Sequence, residues 1–162
     1  MAEVRTALVR DSDGLVVNVI FIDFDPPASP YVGPPPPFPQ GHTLISAQHA
    51  DGSWRRVGPG CRYVGGAFYR PVIEAPTQLA VGQQGTVTLR WVDEADQPVP
   101  YQQPITLEVM GQRQSYTPGA DGSVSVPFSA SVAGTYMLQV VEVVDPVTGA
   151  VAVPAHAVVT VQ

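Results

Sequence analysis

Residues 86–92 read Thr-Val-Thr-Leu-Arg-Trp-Val, so that every second residue is apolar. The same alternation recurs later in the chain, in residues 105–109, 123–128 and 135–140. Neighbouring side chains of a strand point to opposite faces, so this pattern predicts strands with one buried face and one solvent-exposed face. Such strands are typical of antiparallel sheets.

The strand candidates after residue 75 follow one another with turn residues between them. They comprise residues 77–81, 86–92, 105–109, 113–116, 123–128, 135–144 and 151–161. About seven short strands in this arrangement indicate a sandwich of two sheets. The 18 prolines and 15 glycines also disfavour long helices, because both residues destabilise a helix interior. We therefore predict an all-β fold.

A β-hairpin is predicted near the start of the chain, where Asp11-Ser12-Asp13-Gly14 separates two apolar runs, residues 4–9 and 15–24. Asp side chains can accept hydrogen bonds from the N–H groups of such a turn, and glycine tolerates a positive φ there. A short strand at 43–47 and a second hairpin around Gly65-Gly66 follow. The predicted organisation is a small N-terminal β-hairpin module, residues 1–74, followed by a β-sandwich, residues 75–162.

The module contains a proline-rich segment, residues 26–39, in which eight of fourteen residues are proline. Because proline lacks an N–H donor and fixes φ, the segment is predicted to be extended and stiff. It is either a rigid long loop or an arm that lies on a neighbouring subunit, with a ligand for an SH3-type domain as a third interpretation. If it is an arm, the contact residues are Tyr31, Pro34, Pro35, Pro36, Pro37 and Phe38.

Charge is distributed unevenly along this acidic chain, which has a formal net charge of −6. All eight basic residues are arginine; residues 1–74 carry a net charge of −1 and residues 75–162 a net charge of −5. Nucleic-acid binding is not expected, because it needs a basic surface. No secretory signal or membrane segment is expected either, since the longest apolar stretch is far shorter than a bilayer requires. We expect synthesis in a cytoplasm.

Arginines and aromatic residues are interspersed between positions 54 and 70. They are either a small core with arginine stems packed over it, or a contact surface for another protein, where these residue types are enriched. On the second interpretation the partner-binding residues are Arg55, Arg56, Arg62 and Arg70.

The sequence offers little that indicates catalysis or metal binding. The three histidines have no zinc-type spacing, and the single cysteine, Cys61, is interpreted as a buried structural residue that excludes an internal disulfide. The Asp-x-Asp-Gly of residues 11–14 lacks the later ligands of a calcium loop. Asp93-Glu94-Ala95-Asp96 occurs without a phosphate-binding loop and is interpreted as a turn. We predict no catalytic residue, no metal site and no cofactor.

Residues 75–162 resemble the bacterial and phage Ig-like domains. The resemblance rests on the segments at 85–89, 105–109 and 121–126, and on Ala-Gly-Thr-Tyr-Met-Leu-Gln-Val at 133–140. It implies that Tyr136 is a corner tyrosine whose phenol hydrogen-bonds the backbone. Leu138 stands where antibody domains carry cysteine, in keeping with a domain that has no disulfide.

Residues 1–74 are similar to the small β modules at the start of many tailed-phage virion proteins. The similar pieces are Ala-Leu-Val at 7–9, Gly-Leu-Val-Val-Asn-Val-Ile at 14–20, and two segments at 57–63 and 66–71. The proline-rich segment departs from the usual length of those modules.

Together the two resemblances imply a non-enzymatic structural protein of a phage virion. The expected role is that of a capsid decoration, or cement, protein that binds and bridges major capsid subunits. Its expected partners are the major capsid protein and copies of itself, in a multimeric arrangement without nucleic acid or membrane. The alternatives are a tail or baseplate component whose Ig-like module adheres to the host surface, a bacterial surface-binding module and, last, an enzyme.

Overall fold

The computed structural model describes residues 2–24 and 40–162, and the predicted arm (26–39) lies outside them. The described residues form an all-β protein. Its strands are β1 (Ala2–Arg10), β2 (Val16–Phe24), β3 (His42–Ser46), β4 (Arg62–Val64), β5 (Ala67–Glu74), β6 (Gln78–Leu79), β7 (Gly85–Val92), β8 (Ile105–Val109), β9 (Gln112–Tyr116), β10 (Ser123–Phe128), β11 (Gly134–Asp145) and β12 (Ala150–Val161). In these ranges no helix has the length and apolar character needed to cross a bilayer.

The N-terminal strands form a three-stranded antiparallel sheet in the order β2-β1-β3. The predicted hairpin turn is confirmed: Gly14 has φ 70°, and the Asp13 carboxylate accepts a hydrogen bond from the N–H of Leu15 at 3.1 Å. The Gly14 carbonyl accepts a hydrogen bond from the N–H of Tyr63 at 2.7 Å. A Cβ at position 14 would lie 2.4 Å from the Tyr63 carbonyl oxygen, so the approach of these two segments requires glycine.

The later strands form a β-sandwich. One sheet has four strands in the order β10-β7-β5-β4, and the other has five in the order β6-β12-β11-β8-β9. The alternation of residues 86–92 decides which side chains lie between the sheets, because every second one is buried. The core comprises Leu79, Val87, Leu89, Trp91, Ile105, Leu107, Val126, Leu138, Val140, Val159 and Val161. The predicted Ig-like β-sandwich is confirmed as the fold class.

Strand β5 links the two predicted parts of the chain. Its first residues pair with β4, and residues 70–74 pair with β7 of the sandwich. A second apolar cluster lies around Ala7, Val16 and Phe68, beneath the three-stranded sheet. Two cores therefore share one connecting strand, and the division at residue 74 stays a prediction.

The corner tyrosine implied by the Ig-like resemblance is present. The phenol of Tyr136 donates a hydrogen bond to the carbonyl oxygen of Val132 at 2.7 Å. Two residues later Leu138 lies fully buried in the core, in the place of an antibody cysteine. The bond closes the turn that leads into β11.

Replacing Tyr136 by phenylalanine should lower the free energy of unfolding by about 1 kcal/mol, because one hydrogen bond is lost while the ring is kept. Urea unfolding followed by circular dichroism measures this loss. Tyr116→Phe is the control, since the structure gives the Tyr116 hydroxyl no hydrogen bond among the described residues. An equal loss in both variants would contradict a specific role for the corner bond.

Candidate functional site

Four of the eight arginines line a single surface hollow with a volume of about 400 Å³. Arg5 comes from β1, Arg55 and Arg56 from the segment between β3 and β4, and Arg70 from β5. Trp54, which is 49% exposed, lines the same surface. We call this site the arginine hollow. It lies where the three-stranded sheet meets the sandwich.

Arg55 is fixed by a bidentate ion pair with Glu94. Its Nε and Nη2 atoms donate to the two carboxylate oxygens at 2.8 and 2.9 Å. Its guanidinium carbon also lies 4.5 Å from the centre of the Phe68 ring. The hydrogen bonds from Arg55 lower the pKa of Glu94, so this carboxylate is charged at neutral pH.

Asp96 binds two arginines of the hollow at once, because its carboxylate oxygens accept hydrogen bonds from Arg70 and Arg56. These two bonds lower the pKa of Asp96, the one from Arg70 most. The residue has φ 62°, a left-handed conformation that aspartate tolerates better than most residues. Asp93 stabilises this turn by accepting hydrogen bonds from the N–H groups of Ala95 and Gln97.

Arg5 differs from the other three because no carboxylate pairs with it among residues 5–20 and 40–162, whose side chains the structure describes. It donates to the backbone carbonyl oxygens of Val57 at 2.7 Å and Arg55 at 3.5 Å. Its guanidinium lies 6.0 Å from the centre of the Trp54 ring. Among those residues the hollow has four guanidinium groups and only two carboxylates that pair with any of them, Glu94 and Asp96, which leaves two positive charges in excess on a protein of net charge −6.

Cys61 also borders the hollow, as a buried thiol. Burial raises its pKa, which keeps the thiol protonated at neutral pH. A protonated and buried thiol is a poor nucleophile, so the structural interpretation of Cys61 is the one that fits. Within residues 2–24 and 40–162, no three His, Cys, Asp or Glu side chains are grouped so as to hold a metal ion.

Arg62 forms a separate ion-pair network away from the hollow. Its Nη1 lies 3.0 Å from Asp13 and its Nη2 lies 3.0 Å from Glu142 of β11, while Arg10 also pairs with Asp13 at 2.7 Å. The Arg62 side chain is only 4% exposed. The network joins the first hairpin, β4 and the sandwich.

The two carboxylates of this network have pKa values shifted in opposite directions. Hydrogen bonds from Arg10 are the main cause that lowers the pKa of Asp13 to about 2, from an ordinary value of 3.8. Burial raises the pKa of Glu142, against the opposing effect of Arg62. Ionised Asp13 therefore stabilises the fold above about pH 4, and this contribution is lost as the pH falls through 2. Glu142 affects stability in the opposite direction. Because its pKa is higher in the folded state, its negative charge destabilises the fold at neutral pH, and this cost is removed as the pH falls and the carboxyl group is protonated.

We expect Asp13→Asn to be less stable than the unmodified chain at pH 7, with a difference that shrinks between pH 4 and pH 2. Asparagine can still accept the hydrogen bond from Leu15, so the charge is the main change. Urea midpoints at pH 7, 4 and 2.5 measure the difference. A difference that stays constant over this range would contradict the assignment to Asp13.

The structure brings together three of the predicted partner-binding arginines, Arg55, Arg56 and Arg70, and separates the fourth. Arg62 pairs with Tyr69 across β4 and β5, so these two share a face and Arg70 lies on the other face. Both amino groups of Arg62 are bound by carboxylates of this chain, and we leave this residue out of the contact surface. Tyr31, Pro34, Pro35, Pro36, Pro37 and Phe38 lie outside the described residues.

Sequence reasoning missed Arg5, Glu94 and Asp96 as members of the site. Arg5 reaches Val57 across 52 residues, and Glu94 reaches Arg55 across 39. No local pattern marks such partners. The only signal was that residues 93–96 form a turn rich in carboxylates, and the turn itself is confirmed.

No family model matches the chain, and neither does any curated protein. Two solved structures of the CARDB domain of a Pyrococcus furiosus protein are similar to it. The solution NMR structure has 13% identity and a TM-score of 0.37, and the match covers 57% of this chain and 93% of that one. The crystal structure, a complex with di-metal ions, has 14% identity and a TM-score of 0.38, with coverages of 59% and 89%. Likeness at this level carries no inference about what this chain binds.

Proposed function

We propose that this chain is a non-enzymatic structural protein that acts by adhesion, with the arginine hollow as part of its contact surface. In the specific form of the proposal it is a capsid decoration protein of a tailed phage, which binds and bridges major capsid subunits. The similarity of residues 1–74 to phage virion modules supports the phage assignment. The all-β fold supports adhesion, since strands and loops provide a broad and rigid surface.

One observation carries the proposal: four arginines and a half-exposed tryptophan converge on one hollow of an otherwise acidic protein. Arginine and tryptophan are the residue types most enriched where protein contacts contribute most binding energy. Ion pairs with Glu94 and Asp96 fix Arg55, Arg56 and Arg70 in place, so less side-chain entropy is lost when a partner docks.

The charge distribution suggests an orientation on the particle. The arginine hollow belongs mainly to residues 1–74, whereas residues 75–162 carry most of the net negative charge. We propose that the hollow faces the capsid and that the sandwich faces outward or contacts a neighbouring copy. Binding to particles should then weaken as salt rises, because exposed charges are screened.

The test is to locate the chain on purified virions by cryo-electron microscopy, with mass spectrometry to establish its presence. The expected result is density on the outer capsid surface, in contact with more than one major capsid subunit. Density confined to the tail tip or baseplate would replace the capsid role with the tail alternative. Absence from virions would overturn the virion assignment.

A further inference from the structure

The arginine hollow has a charge excess that residues 5–20 and 40–162, whose side chains the structure describes, do not neutralise. Arg5 is bound by two backbone carbonyls, which accept hydrogen bonds but carry no net charge. Arg56 and Arg70 share a single carboxylate, that of Asp96. In the described part of the chain, the Nε atom of Arg70 is also buried without a hydrogen-bond acceptor.

We propose that the arginine hollow binds an acidic peptide segment of a partner protein, whose Asp or Glu carboxylates pair with Arg5, Arg56 and Arg70. This inference rests on the proposed function, because it takes the hollow to be the contact surface. It goes further by naming the chemistry of the partner.

The chain's own ion pairs show which geometry these arginines favour. Glu94 takes two parallel hydrogen bonds from Arg55, and Asp96 bridges Arg56 and Arg70. A planar guanidinium matches a carboxylate in this way, with geometric specificity as well as strength. Arg56, whose side chain is 57% exposed, has N–H donors left for a second carboxylate, since each guanidinium has five.

The surroundings favour a short acidic peptide over nucleic acid. A nucleic acid presents a long row of phosphates, and most of it would face a protein of net charge −6. A peptide confines its charges to a few side chains, which suits a hollow of about 400 Å³. Trp54 offers apolar surface beside Arg5 for the methylene groups of Glu side chains.

Fluorescence anisotropy of the full chain with a fluorescein-labelled hexaglutamate peptide tests the inference. Hexaglutamine with the same label is the neutral control. We expect hexaglutamate alone to bind, with an affinity that falls several-fold when salt is raised from low to physiological concentration. Arg56→Gln should weaken binding about fivefold, the effect of one exposed ion pair.

Arg113→Gln is the matched variant, because it removes the same charge from an exposed arginine on β9, in the other sheet. It should leave the affinity unchanged. Equal weakening by both variants would mean that only overall charge matters, and it would overturn the site. Equal affinity for the two peptides would overturn it too, and tighter binding of an oligothymidine of similar charge would assign the hollow to nucleic acid instead.

The peptide-binding experiment and the virion test decide two separate proposals, the acidic-peptide site and the virion role. Hexaglutamate binding by a chain that is absent from virions would keep the site and reject the virion role. If the chain is found on capsids but does not bind hexaglutamate, the virion role stands and the acidic-peptide site is rejected.

Discussion

Replacing Arg62 by methionine should lower the free energy of unfolding at pH 7 by about 3–5 kcal/mol. The Arg62 guanidinium is almost fully buried between the carboxylates of Asp13 and Glu142, each 3.0 Å away. Methionine fills much of the space but provides no charge, so Glu142 becomes a buried carboxylate with no nearby cation from β4. Breaking such a pair from one side costs more than the pair itself contributes, because one charge is left uncompensated.

Urea unfolding at pH 7, followed by circular dichroism, measures this effect. Arg113→Met is the control, because the exposed pair Arg113–Glu108 has a similar distance of 2.8 Å and should contribute at most about 1 kcal/mol. The double variant Arg62→Met/Glu142→Gln should recover part of the loss, since it removes the unpaired charge. A loss below 1 kcal/mol in Arg62→Met, or no recovery in the double variant, would show that the ion pairs of Arg62 do not stabilise the contact of the first hairpin and β4 with the sandwich.

Replacing Trp91 by alanine should also cost about 3–5 kcal/mol of stability. Trp91 is 0% exposed and lies at the centre of the sandwich core. Its indole N–H donates to the carbonyl oxygen of Gln103 at 2.9 Å, and its ring packs edge-on against Tyr101 with 5.0 Å between ring centres. Truncation leaves a cavity between the sheets and removes the hydrogen-bond donor of the Gln103 carbonyl, and both changes lower the free energy of unfolding.

Trp91→Phe keeps most of the ring and removes the N–H donor, so its loss should be clearly smaller. This variant also keeps the prediction testable if Trp91→Ala does not fold. Trp54→Ala provides a surface comparison, because half of that side chain is already exposed. Circular dichroism is the appropriate measurement, since the variants alter tryptophan fluorescence. Similar losses for Trp54→Ala and Trp91→Ala would contradict the assignment of Trp91 to the core.

Most strands could be predicted from the sequence, because their signal is local. The alternation in residues 86–92 predicted β7 almost to the residue, and residues 123–128 gave β10 with the bounds observed. One prediction was too long: residues 77–81 form a strand only at 78–79, because the chain turns at Gly82, where φ is 78°. Gly14 was predictable too, since a turn depends on a few adjacent residues, and the resemblance to Ig-like domains implied the corner bond of Tyr136.

The candidate site was predictable only in part. Three of its arginines were identified from their spacing among aromatic residues, but Arg62 was grouped with them although it belongs to a buried network. The pairing of Arg62 with Tyr69 places it on the opposite face from Arg70. Register between strands therefore decided which arginines share a surface.

The sequence by itself determined the class of fold, the positions of the strands and the uneven distribution of charge, because these follow from side-chain period, turn chemistry and composition. Only the tertiary structure decided that Arg5 and Asp96 join Arg56 and Arg70, and that Arg62 is enclosed by Asp13 and Glu142. The physical reason is distance along the chain. An ion pair between residues tens of positions apart depends on how sheets pack and in which register strands align, and neither is encoded in the residues next to the charge.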